Sequence, residues 1–529
     1  VAQREIELVN PYDEVPYKSF PFAQTHPSRL ATIGMISGMT PAMPDRCRVL
    51  ELGCASGGNL LPMGERFPES RFVGLDFSLT AIQRGQQQLE ATGISNVELR
   101  HGDILTIDRS WGEFDYVIAH GVFAWVPEPV QEKIFAVCRE LLTPQGIAYI
   151  SYNTNPGWRM RGMIRDVMLY RAQFFTEPAD QLREARALVN FLAKSVPTEK
   201  NPYGILLNDE LKLLQSKEDY YLLHEFLETV NTPLYFHQFI ERAQQQGLQY
   251  LGEADFSVMS VNNFPPEVAN MLKTLSSDTV QREQYMDFVR NRLFRQTLLC
   301  QKEINLERNP GPECVFPLHV ASDAAPESPV TEFDPQTRVT FTRPGSTMTT
   351  REPLMKAAMV HLKEQWPRAI PFSELLAAAR SRIYNGPVIL DTDRDDKEAR
   401  ALAEPLLRCF ATTHIDLTAF PLTPVLEVAS MPVASPLMRV QAKESRIVTN
   451  QWHGTSQLSD LQRQLIPKLD GSRSHADLVD FLVQQVQNGV MMIHEKGVAV
   501  KDEERIRPIL TKIVDETLAQ LARSGLLAG

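Results

Sequence analysis

The feature that most constrains this chain is an apolar strand that runs straight into a turn of small residues. Cys47-Arg48-Val49-Leu50-Glu51-Leu52 leads into Gly53-Cys54-Ala55-Ser56-Gly57-Gly58-Asn59, and a helix through Leu60, Leu61 and Met63 follows. Small side chains let the backbone approach a ligand closely. The helix start adds free N–H groups and a dipole that favours an anionic group. The alternation then repeats. Residues 72–75 are predicted as a strand ending at Asp76, followed by a helix over 78–91. Residues 97–99 are the third strand and lead into Gly102-Asp103-Ile104. Residues 114–119 are the fourth, 127–142 a helix, and 146–151 the fifth strand. Apolar strands alternating with helices at this pitch predict βαβ units and a parallel sheet covered on both faces.

That segment is a fraction of 529 residues, so several domains are expected. A hydrophobic share of 43% and a charged share of 22% exclude a fully disordered chain. The formal net charge of -11 argues against general nucleic-acid binding, which needs a basic footprint. The six cysteines, Cys47, Cys54, Cys138, Cys300, Cys314 and Cys409, form no CxxC pair. Reduced, mostly buried thiols are expected rather than a zinc site or a disulfide framework, and no metal is expected. No apolar run is long enough to span a bilayer. Residues 1–5 offer no signal-peptide core, so a soluble cytoplasmic protein is the default expectation.

Beyond residue 158 the pattern changes to long helical stretches, then returns to apolar strands at 248–251 and 297–300. One sheet domain, 1–158 with 231–306, is therefore expected to be interrupted by a helical insertion at 159–230. Prolines 310, 312, 326, 329 and 335 predict an exposed connector over 307–336. Helices near 353–364, 371–382 and 397–412 suggest a small winged-helix-like module at 337–420. Helices near 457–469, 475–487 and 503–524 suggest a second at 421–529. The acidic run 391–397 lacks the glycine and closing glutamate of a calcium loop and is expected to lead into a helix. His224, Glu225 and His237 show no further ligand at a metal-binding spacing.

Chemistry concentrates at the strand ends. Asp76 is placed to accept both hydroxyls of an adenosine ribose. Asp103 can hold the adenine amino group. A dinucleotide site wants G-x-G-x-x-G, but Ala55 replaces the central glycine. Glu51 lies within reach of a cofactor's amino-acid end. The ordered set Glu51-x-Gly53-x-x-x-Gly57, Asp76, Gly102-Asp103 resembles the Class I S-adenosylmethionine-dependent methyltransferases. This implies a Rossmann-like seven-stranded α/β sheet with S-adenosylmethionine as cofactor. The binding residues expected from these segments are Glu51, Gly53, Cys54, Ala55, Ser56, Gly57, Asn59, Asp76, Phe77, Gly102, Asp103, Ile104, Ala119 and His120. Cys54 is expected to be a small packed residue rather than a nucleophile.

The fourth strand ends in Ala119-His120-Gly121-Val122-Phe123-Ala124-Trp125-Val126-Pro127, not in the Asn-Pro-Pro-Tyr of enzymes that methylate an adenine or glutamine amide. Ser151-Tyr152-Asn153-Thr154-Asn155-Pro156-Gly157-Trp158 follows the fifth strand. With the N-terminal Tyr12-x-x-x-Pro16-Tyr17, His224-Glu225-Phe226 and Tyr235-Phe236-His237, these phrases resemble bacterial methyltransferases that carry a methyltransferase regulatory domain. The outer-membrane-protein lysine methyltransferases of intracellular bacteria belong to that group. The resemblance implies a protein-lysine N-methyltransferase, an inserted dimerisation region and hence a homodimer, and C-terminal winged-helix modules.

A lysine nucleophile must be uncharged, yet its ordinary pKa is roughly 10.4. A narrow aromatic slot would desolvate the ammonium and lower that value. Tyr12, Tyr17, Trp125, Tyr152 and Trp158 are the candidates for the slot. Asn153 would orient the amine, and His120 would take the proton. The plain alternative makes Trp125, Trp158 and Tyr152 packing residues and His120 a polar neighbour of the cofactor. Two rival functions stand beside this reading: a methyltransferase for a small molecule or RNA, and a partner-binding protein with a vestigial core.

Overall fold

The computed structural model describes residues 19–384, 386, 392–421, 423, 425, 427–495, 498–500 and 502–528; Tyr12 and Tyr17 lie outside them. Its centre is a seven-stranded sheet of β1 (Arg48–Leu52), β2 (Arg71–Asp76), β3 (Val97–His101), β4 (Phe114–Ala119), β5 (Leu142–Asn153), β6 (Leu248–Glu253) and β7 (Phe294–Gln301). The spatial order is β3-β2-β1-β4-β5-β7-β6. The first five strands pair in parallel, and β7 runs antiparallel to both β5 and β6. The order reverses between β1 and β4, the place where open sheets of this kind bind ligands beyond the carboxyl ends of their strands.

Alternate residues of each strand enter two different cores. Leu50, Leu52, Val117, Ala119, Ala148 and Ile150 pack with the helices Glu128–Leu141 and Phe236–Gln245. Val49, Phe72, Tyr116, Ile118, Ile147 and Tyr149 pack with the helices Pro27–Ile36, Leu60–Arg66 and Leu79–Thr92. This period of two makes the strands read as continuous apolar runs. Ser78 caps the helix Leu79–Thr92 by accepting from the Ala81 N–H, and Gly93 ends it in the left-handed conformation.

Arg295 on β7 is fully buried. It donates to Glu253 on β6 at 2.6 Å and to Asp287 and Glu283 on the helix Thr279–Arg290 at 2.8 and 3.1 Å. These ion pairs tie the last two strands to the helices that precede them. Between β5 and β6 the helices Gly157–Ala172, Pro178–Ser195 and Pro202–Ser216 build a separate core from Ile164, Met168, Leu182, Val189, Leu207 and Phe226.

Residues 307–336 are not the exposed connector that their prolines suggest. Here β8 (His319–Ala321) is the middle strand of a sheet with β12 (Ile370–Pro371) and β13 (Asp416–Thr418). Val315, Leu318 and Val320 are buried beside the helices Pro353–Gln365 and Phe372–Tyr384. The central strand itself has no proline, while Pro326 in β9 (Ala325–Pro326) and Pro371 in β12 sit on edge strands, where a missing N–H is tolerated. A hairpin of β10 (Val339–Arg343) and β11 (Ser346–Thr350) completes this unit. The helix Thr392–Ala411 starts inside the acidic run, and Asp393 and Asp395 in its first turn complement the helix dipole.

The last unit packs the helices Pro436–Glu444, His475–Gln487 and Glu503–Arg523 around Leu478, Leu482, Leu510 and Leu518. It carries the hairpins β14 (Ile447–Thr449) with β15 (Thr455–Gln457), and β16 (Ile493–Glu495) with β17 (Val498–Val500). Leu437 of this unit is buried in the same core as Val49 and Phe72, so the unit is seated on the central sheet domain. No helix among the described residues is long and apolar enough to cross a membrane.

Candidate active site

The turn after β1 is shaped by close contact. Gly53 has φ +75°, and a Cβ there would lie 2.4 Å from the Val122 side chain. A Cβ on Gly58 would lie 2.5 Å from the Ser19 carbonyl, because residues 19–25 lie against the turn. Ser19 Oγ accepts from the Gly58 N–H at 2.8 Å. Asp76 joins the turn to the end of β2: its carboxylate accepts from the Ala55 N–H at 2.7 Å and from the Ser78 N–H at 2.8 Å. Gly57 also has positive φ, and the Ser56 carbonyl packs on Gly85 of the helix Leu79–Thr92. Cys54 is buried against Gly74, and burial raises its thiol pKa well above the ordinary range, so it is a packing residue.

Glu51 lies beneath the turn, 3% exposed. Its Oε1 accepts from Asn59 Nδ2 at 2.8 Å, while Oε2 is buried without a hydrogen-bond partner. Burial pushes the carboxyl up to about 8 despite the Asn59 hydrogen bond, and nearby Asp76 adds repulsion. A buried acceptor without a donor is costly. An α-ammonium group resolves that cost by supplying both donor and positive charge, so this pocket fits the amino-acid end of S-adenosylmethionine.

At the end of β3, Gly102 donates to the Asp76 carbonyl at 3.0 Å. Asp103 caps the turn Ile104–Thr106 by accepting from the Leu105 N–H at 2.9 Å. Phe77 and Leu105 flank this region at 62% and 48% exposure, an apolar pair open to a flat ring, while Ile104 packs on the core. Leu105 was not among the residues expected from sequence. Its exposure, not its type, marks it.

Ala119 is buried at the end of β4, and His120 follows at the centre of a tight group. His120 Nδ1 lies 2.9 Å from the Tyr149 hydroxyl and 3.3 Å from Ser151 Oγ. The Phe22 ring lies 3.9 Å from the His120 ring, and Phe294 meets it edge-on at 6.4 Å. Burial pulls the imidazole pKa down to about 4, so the ring is neutral near pH 7.

The remaining candidates divide. Asn153 is 4% exposed, pairs with Phe294 across β5 and β7, and donates from Nδ2 to Asn231 Oδ1 at 3.1 Å. Trp125 and Trp158 meet edge-to-face at 6.1 Å; Trp158 is 2% exposed and Trp125 is half-buried. Tyr152 belongs to the core and does not line a slot. It stacks on Phe239 at 4.0 Å, with its hydroxyl 3.3 Å from Thr297 Oγ1. The reason is strand parity: Tyr152 shares its face with Ala148 and Ile150, whereas Tyr149, Ser151 and Asn153 occupy the opposite parity. That rule could have found Tyr149 and Ser151 from sequence. Phe22, Asn231 and Phe294 carry no local signal, because only the folded sheet brings them to His120 and Asn153.

His224 Nδ1 contacts Glu228 at 3.2 Å and His237 Nδ1 contacts Gln284 at 2.9 Å. Among the described residues no three His, Cys, Asp or Glu side chains converge as a metal site.

Comparison with known proteins agrees with this geometry. Residues 49–146 match a family described as a methyltransferase domain, and residues 218–301 match a "predicted methyltransferase regulatory domain". Residues 430–526 match the PKMT C-terminal winged helix domain. An uncharacterized protein of Rickettsia prowazekii, RP789, is 34% identical over 98% of this chain and 94% of its own length. A second protein of that organism, RP028, is 42% identical over 45% of this chain and 96% of its own. Among solved structures, PKMT2 from Rickettsia typhi superposes with TM-score 0.85 at 30% identity, covering 97% of this chain and 100% of that one. Its complex with AdoHcy superposes with TM-score 0.83 at 31% identity and the same coverage. The chain therefore belongs to the Class I S-adenosylmethionine-dependent methyltransferases, in the family that joins a methyltransferase domain to a regulatory domain and a PKMT winged helix.

Proposed function

We propose that the chain methylates the side-chain amine of lysine in a protein substrate. The observation that carries this reading is the cluster of aromatic rings, Phe22, Tyr149 and Phe294, packed about a neutral His120. S-adenosylmethionine, when bound, supplies an electrophilic methyl group and a positive charge beside the amine. Glu51 and Asn59 would hold its ammonium end, Asp76 its ribose, and Phe77 with Asp103 its adenine. Desolvation by the aromatic rings favours the neutral amine. His120 suits an orienting role better than proton storage, because a ring with pKa about 4 holds a proton poorly at neutral pH. Asn153, braced by Asn231, would orient the same amine, and Trp125 with Trp158 would wall the approach.

The helical insertion at 159–230 carries exposed apolar side chains: Met163, Tyr170 and Phe174, with Phe191 and Ile205 on neighbouring elements. We assign these exposed side chains to a protein contact, either the substrate or a second copy in a homodimer. The PKMT2 likeness supports a protein substrate as against a small molecule or RNA, and the six free thiols favour a cytoplasmic setting. Incubating the enzyme and tritiated cofactor with a bacterial lysate, then digesting with protease or nuclease, tests the reading. Label recovered as methyl-lysine supports it. Label in RNA or small molecules would replace the substrate class, and none would point to a binding role.

A further inference from the structure

One side chain of the C-terminal unit, His453, reaches the buried Asn59 beside the turn after β1. His453 lies in the tight turn between β14 and β15 and is 4% exposed. Its Nε2 lies 2.8 Å from Asn59 Oδ1, a contact spanning 394 residues of sequence. Asn59 is the residue that holds Glu51, and both residues are buried.

The turn is built to present this ring. Asn450 Oδ1 accepts from the N–H groups of Trp452 and Gly454 at 3.1 and 3.0 Å, and the Asn450 N–H donates to the Gly454 carbonyl at 2.8 Å. His453 itself has φ +56°, a left-handed conformation unusual for a residue with a side chain. The unit that carries the turn is anchored nearby, where the Leu437 N–H donates to Glu65 Oε1 at 2.7 Å.

The chemistry of the contact is determined by its neighbours. The Phe22 backbone N–H can only donate, and it meets Asn59 Oδ1 at 3.0 Å. Asn59 Nδ2 must then face Glu51 Oε1 and Thr25 Oγ1, at 2.8 and 2.9 Å, as it does. Oδ1 is an acceptor only, so His453 must carry its proton on Nε2 and donate. Two donors, one from the N-terminal segment and one from the C-terminal unit, thus hold the amide of Asn59 in the orientation that offers its NH2 to Glu51.

We propose that His453 is a positioning residue for cofactor binding: through Asn59 it holds Glu51 ready for the ammonium group, and so makes cofactor affinity depend on the seated C-terminal unit. The proposal rests on the assignment of Glu51 to the cofactor's ammonium.

The test compares two ligands on the full-length enzyme by calorimetry. AdoHcy carries the amino-acid tail, whereas 5′-methylthioadenosine shares the adenosine and lacks that tail. His453→Phe keeps a ring against His26, 5.0 Å away, but removes the donor; His453→Gln keeps an N–H donor. His453→Phe is expected to weaken AdoHcy about tenfold and leave methylthioadenosine unchanged, with His453→Gln restoring most of the loss. In turnover the Phe variant should raise KM for S-adenosylmethionine and keep kcat at saturation. Equal loss of both ligands, or no loss of either, in the Phe variant overturns the proposal. So does a Gln variant no better than Phe. If the wild-type enzyme binds both ligands equally well, the Glu51 assignment itself fails, and the proposal with it.

Discussion

Asn59 donates to one oxygen of the Glu51 carboxylate at 2.8 Å and leaves the other buried without a partner. The pair is proposed as half of the site for the cofactor's ammonium group, and its electrostatics can be measured.

In the free enzyme burial holds the Glu51 carboxyl at about 8, against an ordinary 4.5. A bound ammonium favours the ionised form and lowers that value. Binding therefore releases a proton, and affinity for AdoHcy should rise as pH increases from 6 toward about 7.5, below the range where the ligand's own amine, with pKa roughly 7.7–8.0, begins to discharge. Calorimetry in buffers of different ionisation enthalpy should detect the released proton. Glu51→Gln should abolish both the release and the slope, and weaken binding by about 10- to 100-fold.

Asp76 accepts from the N–H groups of Ala55 and Ser78 in addition to the ribose role proposed for it. Asp76→Ala should therefore weaken both AdoHcy and methylthioadenosine, each by about 100-fold, since the ribose is common to the two. Unchanged affinity for either ligand in titration would remove the ribose assignment.

Burial places the His120 pKa near 4, so no His120 ionisation should appear in the rate profile between pH 6 and 8. His120→Ala should lower kcat by about 10- to 100-fold with little change in KM for S-adenosylmethionine, because the ring is proposed to act on the incoming amine. A wild-type inflection near pH 6.5 that vanishes in the variant would instead identify His120 as a titrating base.

Trp158 is almost fully buried and Trp125 only partly, so their truncation should separate packing from chemistry. Trp158→Ala should cost about 3–5 kcal/mol of stability by chemical denaturation. Trp125→Ala should cost less stability and more turnover. Comparable stability losses in the two variants would count both rings as packing.

Arg295 holds Glu253, Glu283 and Asp287 together. Arg295→Met should destabilise the fold by about 3–5 kcal/mol, since it removes the cation paired with buried Glu283 and leaves Glu253 and Asp287 to Arg292. Burial raises the Glu283 carboxyl to about 7 from an ordinary 4.5, with Arg295 opposing that rise. The folded state then binds a proton that the unfolded state has released. The contribution of Glu283 is full below pH 4.5 and is lost as pH rises to about 7. Urea midpoints for Glu283→Gln should lack that part of the decline seen in the wild-type protein.

Much of the fold was legible because its signals are local. The turn at 53–59, the alternation of apolar strands with helices, and Asp76 and Asp103 at strand ends all follow from neighbours within a few residues. The same locality misled at 307–336, where proline density concealed a central strand, and at Tyr152, where residue type outweighed strand parity. By itself, then, the sequence determined the sheet, its ligand edge and the identity of the cofactor class. Only the tertiary structure decided what surrounds His120 and Asn59. Phe22, Tyr149 and Phe294 meet at His120, and His453 reaches Asn59, through contacts between distant segments. The physical reason is that periodicity and capping are set by nearest neighbours along the chain, whereas a site's polarity and enclosure depend on which faces pack together after the chain has closed on itself.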